Sequence, residues 1–419
     1  MQVTTHRELP EETLDALVEV LDEIRTHPAR SRAEIVQARG LSRAVVAQRV
    51  QELLDRGLIE LGAAGRSTGG RAPRLLRFRR DAGHLLVADL GATSIDVAVA
   101  DLGGRILAHH EEPADIADGP QAVLGRVAEL FHEVLAATPG LTSDLWGIGV
   151  GVPGPVEFET RQTVAPPIMP GWDGFPVGDY FAERFDVPVW VDNDVNVMAL
   201  GELRAGVARG HRTVVFVKIG TGIGAGLVVE GALHRGAQGS AGDVGHIKVT
   251  DDPAVVCRCG KRGCLEALAG GDAIARDGRL AAEAGRSPLL AELLDSEGVI
   301  TAAGVAWAAG RGDPASAELI RRAGALVGEM LSTTVHVLNP SLVVIGGGMS
   351  AAGDDLLAAI REVVYGRSLP LATRDLTIQR SALGHRAGVV GAATMVIDGL
   401  FSRDRIGRWI ARGAPDATT

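Results

Sequence analysis

The sequence has no apolar run of the roughly 18 residues that a membrane-spanning helix needs, and residues 1–12 lack the apolar stretch of a secretion signal. These two absences predict a cytoplasmic protein with no membrane partner. The low hydrophobicity of disordered chains is also missing, because 46% of the 419 residues are hydrophobic and 22% are charged. A chain of this length is expected to form two or three globular domains.

Cysteine is scarce, and its three occurrences all fall between Cys257 and Cys264. An odd number in one short window argues against a disulfide framework and favours a metal site. If these were unrelated free thiols, they would have to cluster by chance. Together with His246, the residues Cys257, Cys259 and Cys264 can form a Cys3His tetrahedron. Such a closed site binds Zn2+ structurally, leaves no position for a catalytic water and would fix the surrounding loop.

Lysine is absent from residues 1–80, yet this segment is the basic part of an acidic chain. It holds 14 arginines and 11 acidic residues, a net charge of +3, whereas the whole chain carries −10. Residues 61–80 contain six arginines and no acidic residue. A basic segment attached to an acidic body predicts a DNA-binding module joined to a second unit.

The basic segment has the pattern of a winged helix-turn-helix over residues 1–80. Apolar spacing predicts a first helix over Leu14 to Ile24, and Ser31 with Glu34 forms a capping-box pattern for a short second helix. Gly40 ends that helix, and Ser42 caps a third helix that runs to about Arg56. Two short strand-like stretches around a tip rich in glycine, serine and arginine then complete a wing.

If the third helix lies in a major groove, its exposed N-terminal half meets base edges. The candidates for these contacts are Arg43, Gln48 and Arg49. Arginines near the wing would contact phosphates and add affinity more than specificity, and the candidates are Arg66, Arg71 and Arg74. The predicted partner is double-stranded operator DNA. The alternative is that these arginines only solvate the surface, as in many basic runs.

Two hairpins with glycine-containing turns follow in the acidic body. In the first, a strand over Leu85 to Asp89 is followed by a turn and a strand over Ser94 to Asp101. In the second, a strand over Val214 to Ile219 leads into a glycine turn and a strand over Leu227 to Glu230. One glycine turn by itself only reverses the chain. Two such hairpins suit a two-lobed protein that holds a polyphosphate between its lobes, since exposed backbone N–H groups bind anions.

Three polar residues, Asp192, Asn193 and Asp194, follow a short apolar strand and precede a predicted helix. One interpretation is that they are ordinary helix caps. The other is that adjacent carboxamide and carboxylate groups hold vicinal hydroxyls, with a carboxylate as general base.

The motifs DLGAT, GVPGPV, VDNDVN, GTGIGAG, GDVGH and CRCGKRGCLE occur in an order that resembles the ROK family of repressors, open reading frames and sugar kinases. The resemblance covers Leu85 to about Leu400, and the preceding winged helix is similar to the repressor branch. It implies an α/β protein with a two-lobed actin-like ATPase fold of the sugar kinase and Hsp70 type. The first lobe would span 84–195, completed by a helix at about 385–400, and the second would span 196–384 with the zinc loop. It also implies a homodimer or tetramer.

The resemblance further implies a sugar site in the cleft, where His246 would have one ring nitrogen on zinc and the other facing the sugar. The sugar-binding residues by match are Asn193, Asp194, Asp243, His246 and Glu266, with Asp243 standing where the usual motif has glutamate. Mg-ATP binding is also implied, because the glycine loops are present. The matching positions are Asp89, Gly91, Thr93, Gly220, Thr221, Gly222, Gly346 and Gly347.

Three functions remain as hypotheses. The first is a sugar-responsive transcriptional regulator, specifically a repressor of carbohydrate uptake or catabolism genes. The second is an ATP-dependent sugar kinase, or a bifunctional kinase and regulator, in which Asp194 is the catalytic general base. The third is a scaffold that has lost both activities, which the complete zinc and Asn-Asp motifs disfavour.

Overall fold

The computed structural model describes residues 11–64, 73–141, 143–351, 354–410 and 414–415. Its N-terminal part is a winged helix-turn-helix, called the head below. The head consists of α1 (Glu11–Thr26), α2 (Arg32–Arg39), α3 (Arg43–Asp55), β1 (Ile59–Ala64) and β2 (Arg74–Phe78). The two strands pair antiparallel, which confirms the predicted wing.

The predicted caps of the head are confirmed. Ser31 and Glu34 form a capping box, in which the Ser31 N–H donates to the Glu34 carboxylate at 2.7 Å and the Ser31 hydroxyl accepts from the Glu34 N–H at 3.3 Å. Gly40 ends α2 with a φ of 66°, a left-handed conformation that glycine adopts without strain. The Ser42 hydroxyl accepts from the Val45 N–H at 3.2 Å and starts α3. These caps set the tight turn that orients α3.

The next unit, called the first lobe, is built on a five-stranded sheet of order β5-β4-β3-β6-β9. Its strands are β3 (Gly83–Leu90), β4 (Ser94–Asp101), β5 (Ile106–Pro113), β6 (Asp144–Val152) and β9 (Val189–Asn193). The first three strands form an antiparallel meander, whereas β6 and β9 run parallel to β3. Every residue of β3 is buried, because α4 (Pro120–Ala136) and α14 (Ala387–Leu400) pack on this sheet.

The second lobe repeats this arrangement in a sheet of order β12-β11-β10-β13-β14. Its strands are β10 (Val214–Ile219), β11 (Ile223–Val229), β12 (Ala232–His234), β13 (Leu342–Gly346) and β14 (Thr377–Arg380). The predicted repeat of one hairpin in both lobes is therefore confirmed. The strand after the glycine turn starts at Ile223, earlier than the predicted Leu227. The reason is that Gly224 and Gly226 pair with β10 and so belong to the strand. A residue without a side chain is required at Gly226, because a Cβ there would lie 2.6 Å from the Cβ of Ala199.

The remaining strands form a small hairpin, and the remaining helices cover the sheets or join the lobes. They are β7 (Val156–Glu157), β8 (Gln162–Thr163), α5 (Val177–Phe185), α6 (Asp194–Ala205), α7 (Glu266–Ala269), α8 (Gly271–Glu283), α9 (Pro288–Glu297), α10 (Ala302–Ala309), α11 (Pro314–Leu338), α12 (Asp354–Arg367), α13 (Pro370–Thr373) and α15 (Arg403–Trp409). Within the described ranges, no helix combines the length and the hydrophobicity that a membrane crossing requires. Helix α6 packs against both α14 and β11 and so lies between the lobes.

The head and the first lobe share one hydrophobic core. It runs from α1, where Leu17 is fully buried, to β3 and α14. Helix α15 joins the two units, because the fully buried Trp409 packs edge-on against Trp146 of β6 at a centroid distance of 5.2 Å. The Arg56 guanidinium at the end of α3 donates to the Ile410 carbonyl just after α15. The head is thus packed against the first lobe and is not a loosely tethered module.

Candidate functional site

Two of the three polar residues at the end of β9, Asp192 and Asn193, are held by hydrogen bonds within the protein. Asn193 caps α6, since its Oδ1 accepts from the Val195 N–H at 3.0 Å, and its Nδ2 donates to the Gly154 carbonyl at 3.0 Å. Asp192 pairs with Arg235 Nε at 2.7 Å and accepts from Asn196 Nδ2 at 2.9 Å. The helix-cap interpretation therefore holds for Asn193, and Asp192 is fixed by its own partners.

Asp194 lies at the first turn of α6, with only 5% of its side chain exposed. Its Oδ1 accepts from the Val195 N–H at 2.8 Å, and its Oδ2 forms an ion pair with Lys218 Nζ of β10. Helix α6 thereby brings a carboxylate from the end of the first sheet to the central strand of the second sheet. A carboxylate in this position can accept a hydrogen bond from a ligand hydroxyl in the cleft.

A second buried carboxyl group, that of Asp89, lies one residue before the end of β3 and close to Asp194. Burial raises the pKa of Asp89 to about 8, against the effect of the Lys218 charge, and the Asp194 carboxylate adds to the increase. Among the residues that the structure describes, no group hydrogen bonds to the buried Asp89 Oδ1. Such an oxygen is a ready ligand for a cation or a donor that enters the cleft.

The loop around His246 brings the other predicted sugar-binding residues together. His246 Nε2 lies 3.8 Å from Asp243 Oδ1. Glu266 accepts from the Ile223 N–H at 3.0 Å with Oε2, and its Oε1 lies 4.0 Å from Cys257 Sγ. His246 thus turns one ring nitrogen to Asp243 and the other to the thiols, as expected of a residue shared by a metal and a ligand.

The four predicted metal ligands converge on one point, because their ligand atoms all lie within 4.8 Å of one another. Cys259 Sγ and Cys264 Sγ are 3.8 Å apart, and His246 Nδ1 is 3.6 Å from Cys257 Sγ. A zinc tetrahedron with Zn–S bonds of 2.3 Å and Zn–N bonds near 2.0 Å has edges of about 3.8 and 3.6 Å. Burial raises the pKa of Cys257 to about 12, and the nearby thiols contribute. The donor set and its spacing fit Zn2+, which would offset this effect.

The predicted nucleotide loops lie at corresponding positions in the two lobes. The turn with Gly91 and Thr93 joins β3 to β4, and the turn over 220–222 joins β10 to β11. Gly346 ends β13 and is in register with Lys218, so that the loop of Gly347 lies beside the 220–222 turn. The Gly271 N–H at the start of α8 donates to the Gly220 carbonyl at 2.8 Å and holds this turn in place.

The head presents part of the predicted DNA-binding set on its surface. Arg43 and Gln48 are exposed on α3, and Arg74 is exposed on β2. The expected exposure of Arg49 is wrong: Arg49 is buried, and its Nη1 donates to Glu52 at 2.8 Å, which leaves it poorly placed to reach a base edge. The predicted contacts Arg66 and Arg71 lie outside the described residues.

Two family profiles match the chain, the ROK family over residues 86–399 and the MarR family over residues 18–67. The chain belongs to the ROK family. The first profile spans both lobes and the candidate site, and the second covers most of the head.

Individual ROK proteins resemble this chain over different lengths. The xylose repressor of Caldicellulosiruptor bescii is 30% identical over 387 residues, which are 91% of this chain and 95% of that protein. The crystal structure of a ROK family transcriptional regulator, a homologue of the E. coli MLC protein, has the same fold with a TM-score of 0.80 at 24% identity, over 96% of this chain and 100% of that one. The ROK family glucokinase of Streptomyces griseus, in complex with glucose and AMPPNP, has a TM-score of 0.63 at 30% identity over 75% of this chain and 99% of that one.

Two cations of this ROK protein, Lys218 and Arg235, contact the aspartates of the site without having been expected from the sequence motifs. Lys218 has a recognisable signal, because it interrupts the apolar strand VVFVKI just before a glycine turn. A lysine in the central strand of a sheet needs an anion nearby. Arg235 has no comparable signal in the sequence, since it lies in a loop and meets Asp192 only in the folded chain.

Proposed function

We propose that this ROK protein is a sugar-responsive transcriptional repressor that controls carbohydrate uptake or catabolism genes. The observation that carries the proposal is the DNA-binding head packed on a sugar kinase fold. The similarity to a named xylose repressor extends over 91% of the chain, whereas the similarity to the glucokinase covers 75%. In this function the head binds operator DNA, and a monosaccharide in the cleft changes the affinity for that DNA.

The proposed sugar site is formed by the polar groups that converge on the cleft. Asp194, Asp243, His246 and Glu266 supply acceptors and a ring nitrogen for sugar hydroxyls, with Asn193 holding the start of α6. Structural Zn2+ on the Cys3His cluster would fix the loop that presents His246 and Glu266. The spacing of the four ligands supports this assignment.

For DNA binding, α3 would enter the major groove of one operator half-site. Arg43 and Gln48 would reach base edges, and Arg74, with Arg66 and Arg71, would contact phosphates. A homodimer would place two heads on an inverted repeat, because a two-fold axis in the protein matches one in the DNA.

A structural change on sugar binding would reach the head through helices that pack against one another. Helix α6 starts at Asp194 in the proposed sugar site and ends at Ala205, and the charge of Arg204 in its last turn interacts with that of Arg25 of the head. Burial lowers the pKa of Arg204 at this end of α6, and the carboxylate of Asp398 on α14 acts in the opposite direction. The Arg25 guanidinium lies 3.7 Å from the same Asp398 carboxylate. A shift of α6 on sugar binding would therefore act on the side of the head that α14 and α15 support.

The alternative function is that of a sugar kinase that uses Mg-ATP. It is favoured by the match to a glucokinase solved with glucose and AMPPNP, and by the unpaired buried oxygen of Asp89 among the described residues. Asp89, Gly91 and Thr93 from one lobe and the 220–222 and 346–347 loops from the other would hold the nucleotide, which supplies the phosphoryl group. Asp194 would accept the proton of the sugar hydroxyl.

The proposal is tested by binding of the full-length protein to DNA from upstream of its own gene, followed by fluorescence anisotropy with and without D-xylose and D-glucose. Deletion of the head is a poor test, because it would uncover Trp409 and the apolar core beneath it. The double variant Arg43→Ala, Gln48→Ala is the better one. It should lose operator binding and retain sugar binding measured by calorimetry. Operator binding that survives in this variant would refute the assignment of α3.

A further inference from the structure

Lys218 lies beside Asp194 and Asp89, the two acidic residues that the alternative kinase function would use. It lies on β10, directly before the 220–222 turn, and its side chain is 21% exposed. Its ammonium group pairs with Asp194 Oδ2, while Asp194 Oδ1 already accepts from the Val195 N–H at 2.8 Å. Each oxygen of Asp194 therefore already has one partner before any sugar enters, and each keeps a lone pair that a sugar hydroxyl can use.

The charges around Lys218 hold it as a permanent cation. Burial by itself would lower the pKa of Lys218, but the carboxylates of Asp194 and Asp89 outweigh burial and raise it. Asp96 pairs with Asp89 in the β3-β4 ladder and contributes in the same direction. The Lys218 ammonium thus lies among three carboxyl groups, of which Asp194 pairs with it directly.

Phosphoryl transfer makes two demands on these carboxylates. The sugar oxygen attacks the γ-phosphorus of ATP, a new O–P bond forms, the bond to the β-phosphate oxygen breaks to release ADP, and the hydroxyl proton passes to Asp194. The Mg2+ that accompanies ATP must also bind near these carboxyl groups without strong electrostatic repulsion. Lys218 holds the Asp194 oxygen that would take the proton, and its positive charge repels a divalent ion near Asp89.

We propose that Lys218 is an internal cation that blocks phosphoryl transfer, so that the cleft binds sugar as a signal without consuming ATP. The inference rests on the proposed function, because it assumes that the sugar enters this cleft. It assigns to one lysine of this chain the difference between sensing a sugar and phosphorylating it. A charge-neutral side chain at position 218 would free the Asp194 oxygen and remove the repulsion.

The test compares the wild type with Lys218→Met, which keeps the length of the side chain, and with Lys218→Arg, which keeps the charge. ADP release is measured with Mg-ATP and D-glucose or D-xylose. We expect background turnover for the wild type and Lys218→Arg, and turnover at least tenfold above background for Lys218→Met. The double variant Lys218→Met, Asp194→Asn should return to background, because the proton acceptor is gone.

Two turnover results would overturn the inference. If Lys218→Met is as inactive as the wild type with both sugars, another feature blocks transfer. If the wild type turns over and Lys218→Met is slower, the lysine assists transfer as a phosphate ligand. The proposed function is tested separately by anisotropy on upstream DNA. If no sugar changes the binding of the wild type to this DNA, the proposed function is refuted.

A measurement on the wild type alone covers the case in which the variants do not fold. Binding of AMPPNP is followed by calorimetry with Mg2+ and with EDTA. The repulsion between Lys218 and Mg2+ predicts affinities within threefold of each other. A gain of tenfold or more from Mg2+ in the wild type would show that the site accepts the divalent ion and would overturn the inference.

Discussion

Replacement of Trp409 by alanine tests whether the head and the first lobe act as one body. Trp409 is fully buried in α15, where its ring packs edge-on against Trp146 at 5.2 Å and Phe401 at 5.8 Å. Its Nε1 donates to the Leu400 carbonyl at 2.9 Å. The residue therefore fastens α15 to β6 and to the end of α14, next to the helix α1 of the head.

The cost of Trp409→Ala follows from the buried area. A tryptophan buries about 150–250 Å2, and at about 25 cal/mol per Å2 this is roughly 4–6 kcal/mol of transfer free energy. Measured substitutions of buried aromatic residues by alanine cost about 3–5 kcal/mol. If this loss falls on the docking of the head, the docked state becomes roughly 10²- to 10⁴-fold less favoured, since 1.36 kcal/mol is a factor of ten.

The assay is operator binding by anisotropy with and without the inducing sugar, together with calorimetry for the sugar. We expect Trp409→Ala to bind sugar as the wild type does, and to lose most of the sugar-dependent change in operator affinity. The matched control is Trp307→Ala, because Trp307 is 40% exposed on α10 of the second lobe and contacts Arg311. A full sugar response in Trp409→Ala would refute the idea that the shared core couples the head to the cleft.

Three further predictions concern the zinc loop, the DNA surface and the fold of the head. We expect elemental analysis to find one zinc per chain in the wild type, and Cys259→Ser to lose both this zinc and the sugar response; a zinc-free wild type with a normal response would contradict this. Arg74→Ala should weaken binding to all DNA sequences and reduce the salt slope by about one, whereas Gln48→Ala should change the preference at one base pair. Glu23 is buried between Arg30 Nε at 2.9 Å and Arg39 Nε at 3.0 Å. Glu23→Gln should lower the free energy of unfolding, measured by urea titration, by about 1.5–3 kcal/mol. Burial opposes ionisation of Glu23, but its arginine partners lower its pKa below 4.5. Its contribution is therefore present above pH 4.5 and is lost as the pH falls further, so Glu23→Gln should flatten this acid dependence, and an unchanged profile would contradict the assignment.

The head was predictable because its signals are local. Ser31 with Glu34, Gly40 and Ser42 each determine one end of a helix within a few residues, and the structure has caps at these positions. The repeated hairpins of the two lobes were also predictable, since alternation and glycine turns depend on neighbouring residues. The early start of β11 was missed because it depends on α6 packing over Gly224 and Gly226, a contact between distant parts of the chain.

The burial of Arg49 and the packing of the head on the first lobe depend on the folded structure and have no signal in the sequence. Arg49 follows Gln48 in sequence, but one residue on a helix rotates the side chain by about 100°, and Arg49 is buried and paired with Glu52 three residues further along α3. The shared core could not be seen either, because Trp146 and Trp409 are far apart in sequence and only the folded chain brings them to 5.2 Å. The contacts make the head part of the first lobe, because buried residues of α1, α3 and β2 share one hydrophobic core with β3 and α14.

The cleft shows why family motifs do not separate a kinase from a sensor. The motifs identify Asp194 and the glycine loops, which both functions share, and they report which groups are present but not which are already engaged. The engagement of Asp194 is decided by Lys218, a residue 24 positions away in the central strand of the other lobe. A neutral residue at this position would leave every motif intact and the carboxylate free. In the proposed mechanism the chemical fate of a bound sugar depends on the charge of Lys218, and the contact of Lys218 with Asp194 is visible only once the two lobes are placed together.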